Sequence, residues 1–164
     1  MKHPLTFILL LFSLLAGAQE NMRYVANIEL GIGITTNNYP ADKISVLSSH
    51  GVLLHDNFYI GLGAGVESNL VNHYSVSFPV FIDSNLSFAT GNNGGNPYVG
   101  ARMGAKWIEE GQAWTPAISA YFGWQIQHLS LRLSLENLLT RLKTNSQYQF
   151  RSEQYASCGI LYAF

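Results

Sequence analysis

Charged residues are scarce in this chain. Asp, Glu, Lys and Arg make up 12% of its 164 residues, whereas typical soluble domains contain about 25%. The formal net charge is only −1, so the chain has no basic face for nucleic acid, and we expect no nucleic-acid partner. An exterior in contact with water would need more charge than this sequence supplies.

Cysteine and long apolar runs are also nearly absent. The single cysteine, Cys158, excludes an internal disulfide and leaves no support for a Cys/His zinc site, so we expect neither a metal nor a cofactor. After residue 18, no apolar run reaches the length of a transmembrane helix. Low charge without such a helix is typical of a transmembrane β-barrel, whose strands alternate apolar and polar residues.

The first 18 residues have the pattern of a secretory signal peptide. Lys2 precedes an apolar stretch from Leu5 to Leu15, and Ala16-Gly17-Ala18 follows as a small-x-small cleavage pattern. At 11 residues, the apolar stretch is too short to cross a bilayer as a helix. We predict cleavage between Ala18 and Gln19, which leaves residues 19–164 as one domain.

Apolar and polar residues alternate along most of the remaining chain. From Phe58 to Glu67 the even positions are apolar, and the odd positions are Tyr, Gly and Glu. A period of two predicts strands with one apolar and one polar face. Segments rich in Asn, Asp, Gly and Ser separate these strands, as hairpin turns require. The predicted strands are 24–36, 43–55, 57–68, 73–89, 97–108, 114–126, 128–138 and 147–164.

Three segments fit this pattern badly. Ser48 and His50 lie where the apolar face of the second strand should run, which indicates a β-bulge or a shifted register. Pro79 falls inside the fourth strand, although a closed barrel has no free edge to receive it. The leucines between 135 and 142 also have helical spacing, which allows a short helical turn in the last predicted loop, 139–146.

Taken together, the pattern predicts an all-β fold: an antiparallel up-and-down transmembrane barrel of about eight strands. An even number of strands places both chain ends on one side, which suits a barrel whose termini face the periplasm. The extracellular loops would then be 37–42, 68–72, 109–113 and 139–146.

Alternation alone does not say which face is outside, because a soluble ligand-binding barrel alternates with its apolar face inward. Three features favour an apolar exterior: the low charge, aromatic residues at strand ends, and glycines on the polar face, where they make room inside a narrow barrel. Long charged side chains would share that interior, and opposite charges there can pair. The predicted interior charge network is Glu29, Glu67, Arg102, Lys106, Arg132 and Glu136. The predicted aromatic girdles at the two membrane interfaces are Tyr24, Phe58, Tyr74, Phe88, Trp107, Trp114, Trp124, Tyr148 and Tyr162.

The end of the chain carries the most specific local pattern. Outward-facing Ile160 and Tyr162 lead to a terminal Phe164, and Ser77-Phe78-Pro79-Val80-Phe81 occupies the fourth strand. With these features the chain resembles the small eight-stranded outer-membrane β-barrel proteins, the outer membrane protein beta-barrel domain family, of which OmpX and the OmpA membrane domain are examples. The resemblance implies an outer-membrane location, and it implies that Ile160, Tyr162 and Phe164 form the signal read by the barrel assembly machinery. The partners would be outer-membrane lipid and, during biogenesis, that machinery, and we expect a monomer.

Catalytic chemistry finds little support. The pairs His73/Ser75 and His128/Ser130 have the spacing of the catalytic His and Ser in outer-membrane barrels that deacylate lipid A, and residues i and i+2 of a strand share a face. The first pair is predicted to point into the barrel and the second to lie by a periplasmic turn, so we predict no enzyme and no catalytic residue. A fold does not determine a function. We predict a structural or surface-interaction barrel whose interior is plugged by polar and charged side chains. The alternatives are a narrow solute channel and, third, a lipid A-modifying enzyme.

Overall fold

A computed structural model describes residues 22–36, 42–70, 75–89, 95–109, 113–144 and 147–164. The signal peptide and its predicted cleavage site lie outside these residues. Successive strands pair antiparallel, and the last pairs with the first, so the sheet closes into a barrel. No helix that could cross a membrane occurs in the described part of the chain. The strands are β1 (Met22–Thr35), β2 (Asp42–Leu54), β3 (Phe58–Asn69), β4 (Val76–Ser87), β5 (Asn96–Ile108), β6 (Ala113–Ile126), β7 (Leu129–Thr144) and β8 (Gln147–Ala163).

The register of the ladders tilts the strands. Met22 pairs with Leu54, and following each residue to its partner around the barrel leads to Cys158, which pairs with Ile32. The ladder therefore returns to β1 ten residues from where it began. A closed sheet with such a stagger has strands tilted by about 35–45° from the barrel axis, and eight of them enclose a space that side chains can fill.

Burial alternates along the strands as the sequence pattern predicts. On β1, Glu29, Gly31 and Gly33 are buried, while Leu30 and Ile32 between them are 60% and 66% exposed. The same apolar exterior continues on the other strands. An apolar surface of this extent is suited to lipid rather than water. The predicted fold, an antiparallel transmembrane barrel of eight strands, is confirmed.

The bulge suggested for the second strand is absent. β2 pairs without interruption with β1 on one side and with β3 on the other. Ser48 and His50 keep the outward parity of the strand, and Lys43 keeps the inward parity. A shift of one residue would exchange the two faces and turn Lys43 toward lipid. The polar residues of β2 are therefore a real departure from an apolar exterior, not a sign of misregistered pairing.

Pro79 lies in a short break of the β3–β4 ladder. Pairing stops at Ala64–Val80 and resumes in the same register at Glu67–Ser77. On its other side, Pro79 still pairs with β5. Proline has no N–H to donate, so one local interruption allows a closed barrel to hold it.

The last predicted loop, 139–146, is wrong for residues 139–144, and the helical turn suggested near it is wrong as well; residues 145–146 lie outside the described residues. β7 continues to Thr144 and pairs with β8 from Gln147 onward. Pairing of β7 with β6 ends at Leu138. Residues 139–144 and 147–152 therefore pair with each other past the end of the neighbouring strand, as the two arms of a hairpin.

Interior glycines allow neighbouring strands to approach closely, and Gly104 provides a test. A Cβ added there would lie 2.7 Å from Phe81 Cα and closer still to the Val80 carbonyl oxygen. We expect Gly104→Val to destabilise the barrel by about 1–3 kcal/mol, because backbone atoms of β4 would have to move. Ala105→Val adds two methyl groups on the lipid-facing side of the next residue and should leave stability nearly unchanged. Urea unfolding in lipid vesicles, followed by tryptophan fluorescence, measures both; equal stabilities would contradict the close approach.

Candidate functional site

The charged residues of this barrel meet in its interior. The structure places all six residues of the sequence-predicted network there, with side chains only 2–13% exposed. Two further charges, Lys43 and Asp83, join them. Sequence reasoning missed both, although each has the inward parity of its strand. Lys43 was missed because the pattern of the second strand indicated a bulge or a shifted register, which left its inward parity undetermined.

Four residues form what we call the first ion cluster: Glu29, Asp83, Arg102 and Arg132. Arg132 Nη1 donates to Glu29 Oε2 at 2.9 Å and lies 3.6 Å from Asp83 Oδ2. Arg102 pairs with Glu29 and reaches Asp83 at 3.2 Å. Asp83 is fully buried and also accepts a hydrogen bond from the Tyr121 hydroxyl. Two acids and two bases make the cluster neutral, as buried charges require.

A second ion cluster contains Lys43, Glu67, Lys106 and Glu136. Lys43 Nζ lies 2.5 Å from Glu136 Oε2 and 3.4 Å from Glu67 Oε1. Lys106 Nζ lies 2.5 Å from Glu67 Oε2 and also pairs with Glu136. Each lysine therefore bridges the same two carboxylates, and this cluster is neutral as well.

The two clusters are stacked along the barrel axis. Arg102 and Lys106 lie four residues apart on β5, as do Arg132 and Glu136 on β7, a step of roughly 13 Å along a strand. A cavity of about 50 Å³ lies between the clusters, which is room for a few water molecules. The interior thus consists of two layers of paired charge with a small polar space between them.

Both clusters cross the barrel from wall to wall. In an eight-stranded barrel β1 lies opposite β5, so the Glu29–Arg102 pair spans the diameter. β3 likewise lies opposite β7. Lys43 and Lys106 each pair with both Glu67 on β3 and Glu136 on β7. These contacts place ion pairs across the route that a solute would take through the lumen.

Aromatic rings pack over glycines on the neighbouring strand. A Cβ added at Gly123 would lie 2.5 Å from Tyr98 Cε1, and one added at Gly100 would collide with the Tyr121 ring. The Arg132 guanidinium in turn lies 3.9 Å from the centre of the Tyr121 ring, a favourable cation–π geometry. Glycine on the polar face therefore makes room for the rings that surround the first ion cluster.

On the side of the chain termini the barrel opens into a vestibule of about 430 Å³. Arg23 lies at its mouth, Tyr59, Tyr98 and Gln125 line its wall, and Arg132 closes its inner end. The turns at His55–Asn57 and Gln127–His128 are on this side. Such short turns face the periplasm in barrels of this kind, so we assign the vestibule to the periplasmic side.

Aromatic residues mark two bands on the lipid-facing surface. Trp124 and Trp114 lie ten residues apart on β6, which is roughly 33 Å along the strand and about 25 Å along the membrane normal at the expected tilt. That distance matches the apolar band of outer-membrane barrels. Tyr74 lies outside the described residues, and Tyr148 lies in β8 with its side chain undescribed. The periplasmic band holds Tyr24, Phe58, Phe88, Trp124, Tyr162 and Phe164, and the other band holds Trp107 and Trp114.

The C-terminal residues fasten the end of β8 to the barrel. Ile160, Tyr162 and Phe164 all face outward. The Phe164 amide donates to the Ala26 carbonyl at 2.8 Å, and the rings of Tyr162 and Phe164 meet edge to face at 4.7 Å. Their use as an assembly signal remains a prediction.

The predicted pair His128/Ser130 does not form a base–nucleophile contact. His128 Nδ1 lies 3.0 Å from the Ala163 carbonyl oxygen, while Ser130 is buried inside the barrel. In the other predicted pair, His73 lies outside the described residues. Its partner Ser75 accepts a hydrogen bond from Asn69. No group of three or more His, Cys, Asp or Glu side chains among the described residues is arranged to hold a metal ion.

Comparison with known proteins gives a match in structure only. No family model matches the chain, and no curated protein matches its sequence. Neisserial surface protein A superposes with a TM-score of 0.57 at 11% identity, over 87% of this chain and 99% of that one. The N-terminal β-barrel domain of Pseudomonas aeruginosa OprF gives 0.55 at 15% identity, over 85% and 97%. The outer membrane enzyme PagL gives 0.59 at 11% identity, over 84% and 98%.

These similarities, with the apolar exterior and the paired interior charges, define the class of the molecule: a small transmembrane β-barrel of the outer-membrane type. The resemblance predicted from the sequence is confirmed at the level of the fold. Identities this low carry no function from one barrel to another.

Proposed function

We propose that this chain is a sealed structural barrel of the outer membrane that meets partners through its extracellular surface and has no catalytic activity. One observation carries the proposal: the Glu29–Arg102 ion pair spans the barrel diameter. An ion or solute moving through the lumen would have to separate buried, paired charges.

The second ion cluster supports the same role. Glu67 and Glu136 lie on opposite walls of the barrel, and Lys43 and Lys106 each bridge them. A second neutral layer is therefore stacked on the first along the barrel axis. Opening either layer would leave buried charges without partners, which is strongly unfavourable. A barrel interior tied in this way is suited to rigidity rather than transport.

The β7–β8 hairpin supports the surface-interaction part of the proposal. Its ladder continues to Thr144–Gln147, well beyond the end of the β6–β7 ladder. A paired hairpin that rises past its neighbour offers a preformed surface outside the bilayer. Recognition surfaces on barrels are commonly carried by such projecting connections.

A narrow solute channel is the second candidate, and the vestibule favours it. This opening of about 430 Å³ leads from the periplasmic side as far as Arg132. Rearrangement of the two clusters would be needed to continue it across the membrane.

Conductance in planar lipid bilayers tests the proposal. We expect the refolded protein to give no stepwise current above that of an equal amount of detergent without protein, because both ion clusters close the lumen. Insertion is verified on the same preparation by protection of the barrel from protease in vesicles. Steady unit conductance whose ion selectivity changes in Glu67→Gln would contradict a sealed barrel and establish the channel.

A further inference from the structure

The lipid-facing wall carries one histidine that the sealed-barrel role does not use. His50 lies on the outward face of β2, between the two aromatic bands. Among the described side chains that face outward between these bands, none is Asp, Glu, Lys or Arg; Asn137 and Gln154 also face outward on this wall but are uncharged. An ionisable side chain at such a position is costly and usually marks a functional site.

His50 is the centre of a hydrogen-bonded series of three side chains. The Tyr24 hydroxyl lies 2.6 Å from His50 Nδ1, and Ser48 Oγ lies 3.2 Å from His50 Nε2. Tyr24 belongs to the periplasmic aromatic band, while Ser48 lies two residues beyond His50 along β2. The series therefore extends from the membrane interface toward the acyl chains.

The three side chains of this series carry one more polar hydrogen than the hydrogen bonds between them use. With a neutral imidazole, Tyr24, His50 and Ser48 supply three polar hydrogens, but only two hydrogen bonds join them. If Nε2 carries the proton, the Ser48 hydroxyl hydrogen is left over; if Nδ1 carries it, the Tyr24 hydrogen is left over. Either tautomer thus leaves one hydroxyl hydrogen without a partner among these three side chains, on a wall where water is scarce.

The acceptors available at this depth belong to phospholipids. Tyr24 marks the interface, and each two-residue step moves roughly 6.6 Å along the tilted strand. Ester carbonyl oxygens of glycerophospholipids lie where the hydrocarbon region begins. The pairing partners of His50 and Ser48 include Ala26 and Ala64, so small side chains leave space beside the series for a lipid.

We propose that Tyr24, His50 and Ser48 form a binding site for the ester carbonyl of a glycerophospholipid in the periplasmic leaflet. The site binds and does not cleave. Ser48 and its neighbours are paired with β1 and β3 on both sides, so the sheet leaves no backbone N–H free to stabilise an oxyanion.

Lipid retention in native mass spectrometry tests the site. The protein is reconstituted separately with diacyl phosphatidylglycerol and with the dialkyl ether analogue, which has the same headgroup but no ester carbonyl. We expect the wild type to retain the diacyl lipid about fivefold more than the ether lipid, as one hydrogen bond allows. A variant with both His50→Leu and Ser48→Ala should lose this preference.

Ser84→Ala is the matched control. Ser84 also faces outward, but its hydroxyl already donates to the Ala101 carbonyl at 3.4 Å. Its removal should leave the ester preference at the wild-type value. The double variant has a more apolar exterior and should fold at least as well as the wild type, which the heat-modifiable gel band verifies.

Three results would overturn the proposal. Equal retention of ester and ether lipids by the wild type would exclude carbonyl recognition. A dimer lost in His50→Leu would make a second copy of this chain the occupant. Release of free fatty acid by the wild type but not by Ser48→Ala would make Ser48 a nucleophile. None of these results depends on whether the lumen conducts.

Discussion

Arg132→Met is expected to destabilise the barrel by about 3–5 kcal/mol, the range for breaking a buried ion pair. Arg132 is one of two bases in the first ion cluster, and its side chain is almost completely buried. Methionine fills much of the volume but leaves Glu29 and Asp83 to share Arg102 alone. Urea titration of vesicle-inserted protein, followed by tryptophan fluorescence, measures the loss.

Charge balance, rather than volume, should account for most of that loss. Combining Arg132→Met with Glu29→Gln restores a neutral cluster of Asp83 and Arg102 and should recover most of the stability. Arg23→Met removes an exposed arginine at the vestibule mouth and should change stability by less than about 0.5 kcal/mol. Equal stability of the Arg132 and Arg23 variants would contradict a buried, charge-paired interior.

Leu30→Arg is expected to destabilise the protein by about 2–4 kcal/mol in lipid vesicles, the range for a basic residue at the bilayer midplane on the outside of a barrel. Leu30 is exposed on the outward face near the middle of β1. In lipid, an arginine there has neither water nor a partner. The same vesicle unfolding assay measures the change.

Ile34→Arg provides the depth control on the same face. Ile34 is the penultimate residue of β1 and lies close to the extracellular interface. The expected destabilisation by an arginine there falls to about 0–1 kcal/mol, because the side chain can reach water. A soluble barrel would tolerate both arginines equally. Equal effects of the two substitutions would therefore contradict the transmembrane orientation.

The faces of the strands could be predicted from the sequence, but the contacts within the barrel could not. Glu29 and Arg102 each have inward parity in their own strand, which a period of two reveals. Their meeting depends on the number of strands and on the ten-residue stagger of the ladder, which put β1 opposite β5. Neither quantity is contained in the local alternation.

The outward polar residues of β2 are a case in which the sequence pattern of a single strand is misleading. Ser48 and His50 resemble an error in the pattern when only their own strand is considered. Continuous pairing with both neighbouring strands shows that they face lipid. Tyr24, the partner of His50, is 26 residues away and becomes adjacent only through the register of β1 with β2.

The sequence by itself determined the low charge, the alternation of the strands and the short turns at 55–57 and 127–128, because these follow from composition, from turn-forming residues and from the two-residue period of a strand. Only the tertiary structure decided which charges pair, that the lumen is crossed by two neutral clusters, that residues 139–144 pair with 147–152 beyond the end of β6, and that His50 joins Tyr24 and Ser48 on the lipid-facing wall. The reason is physical. Parity assigns a side chain to a face, whereas closure and stagger of the barrel decide which distant side chains on that face come within reach of one another.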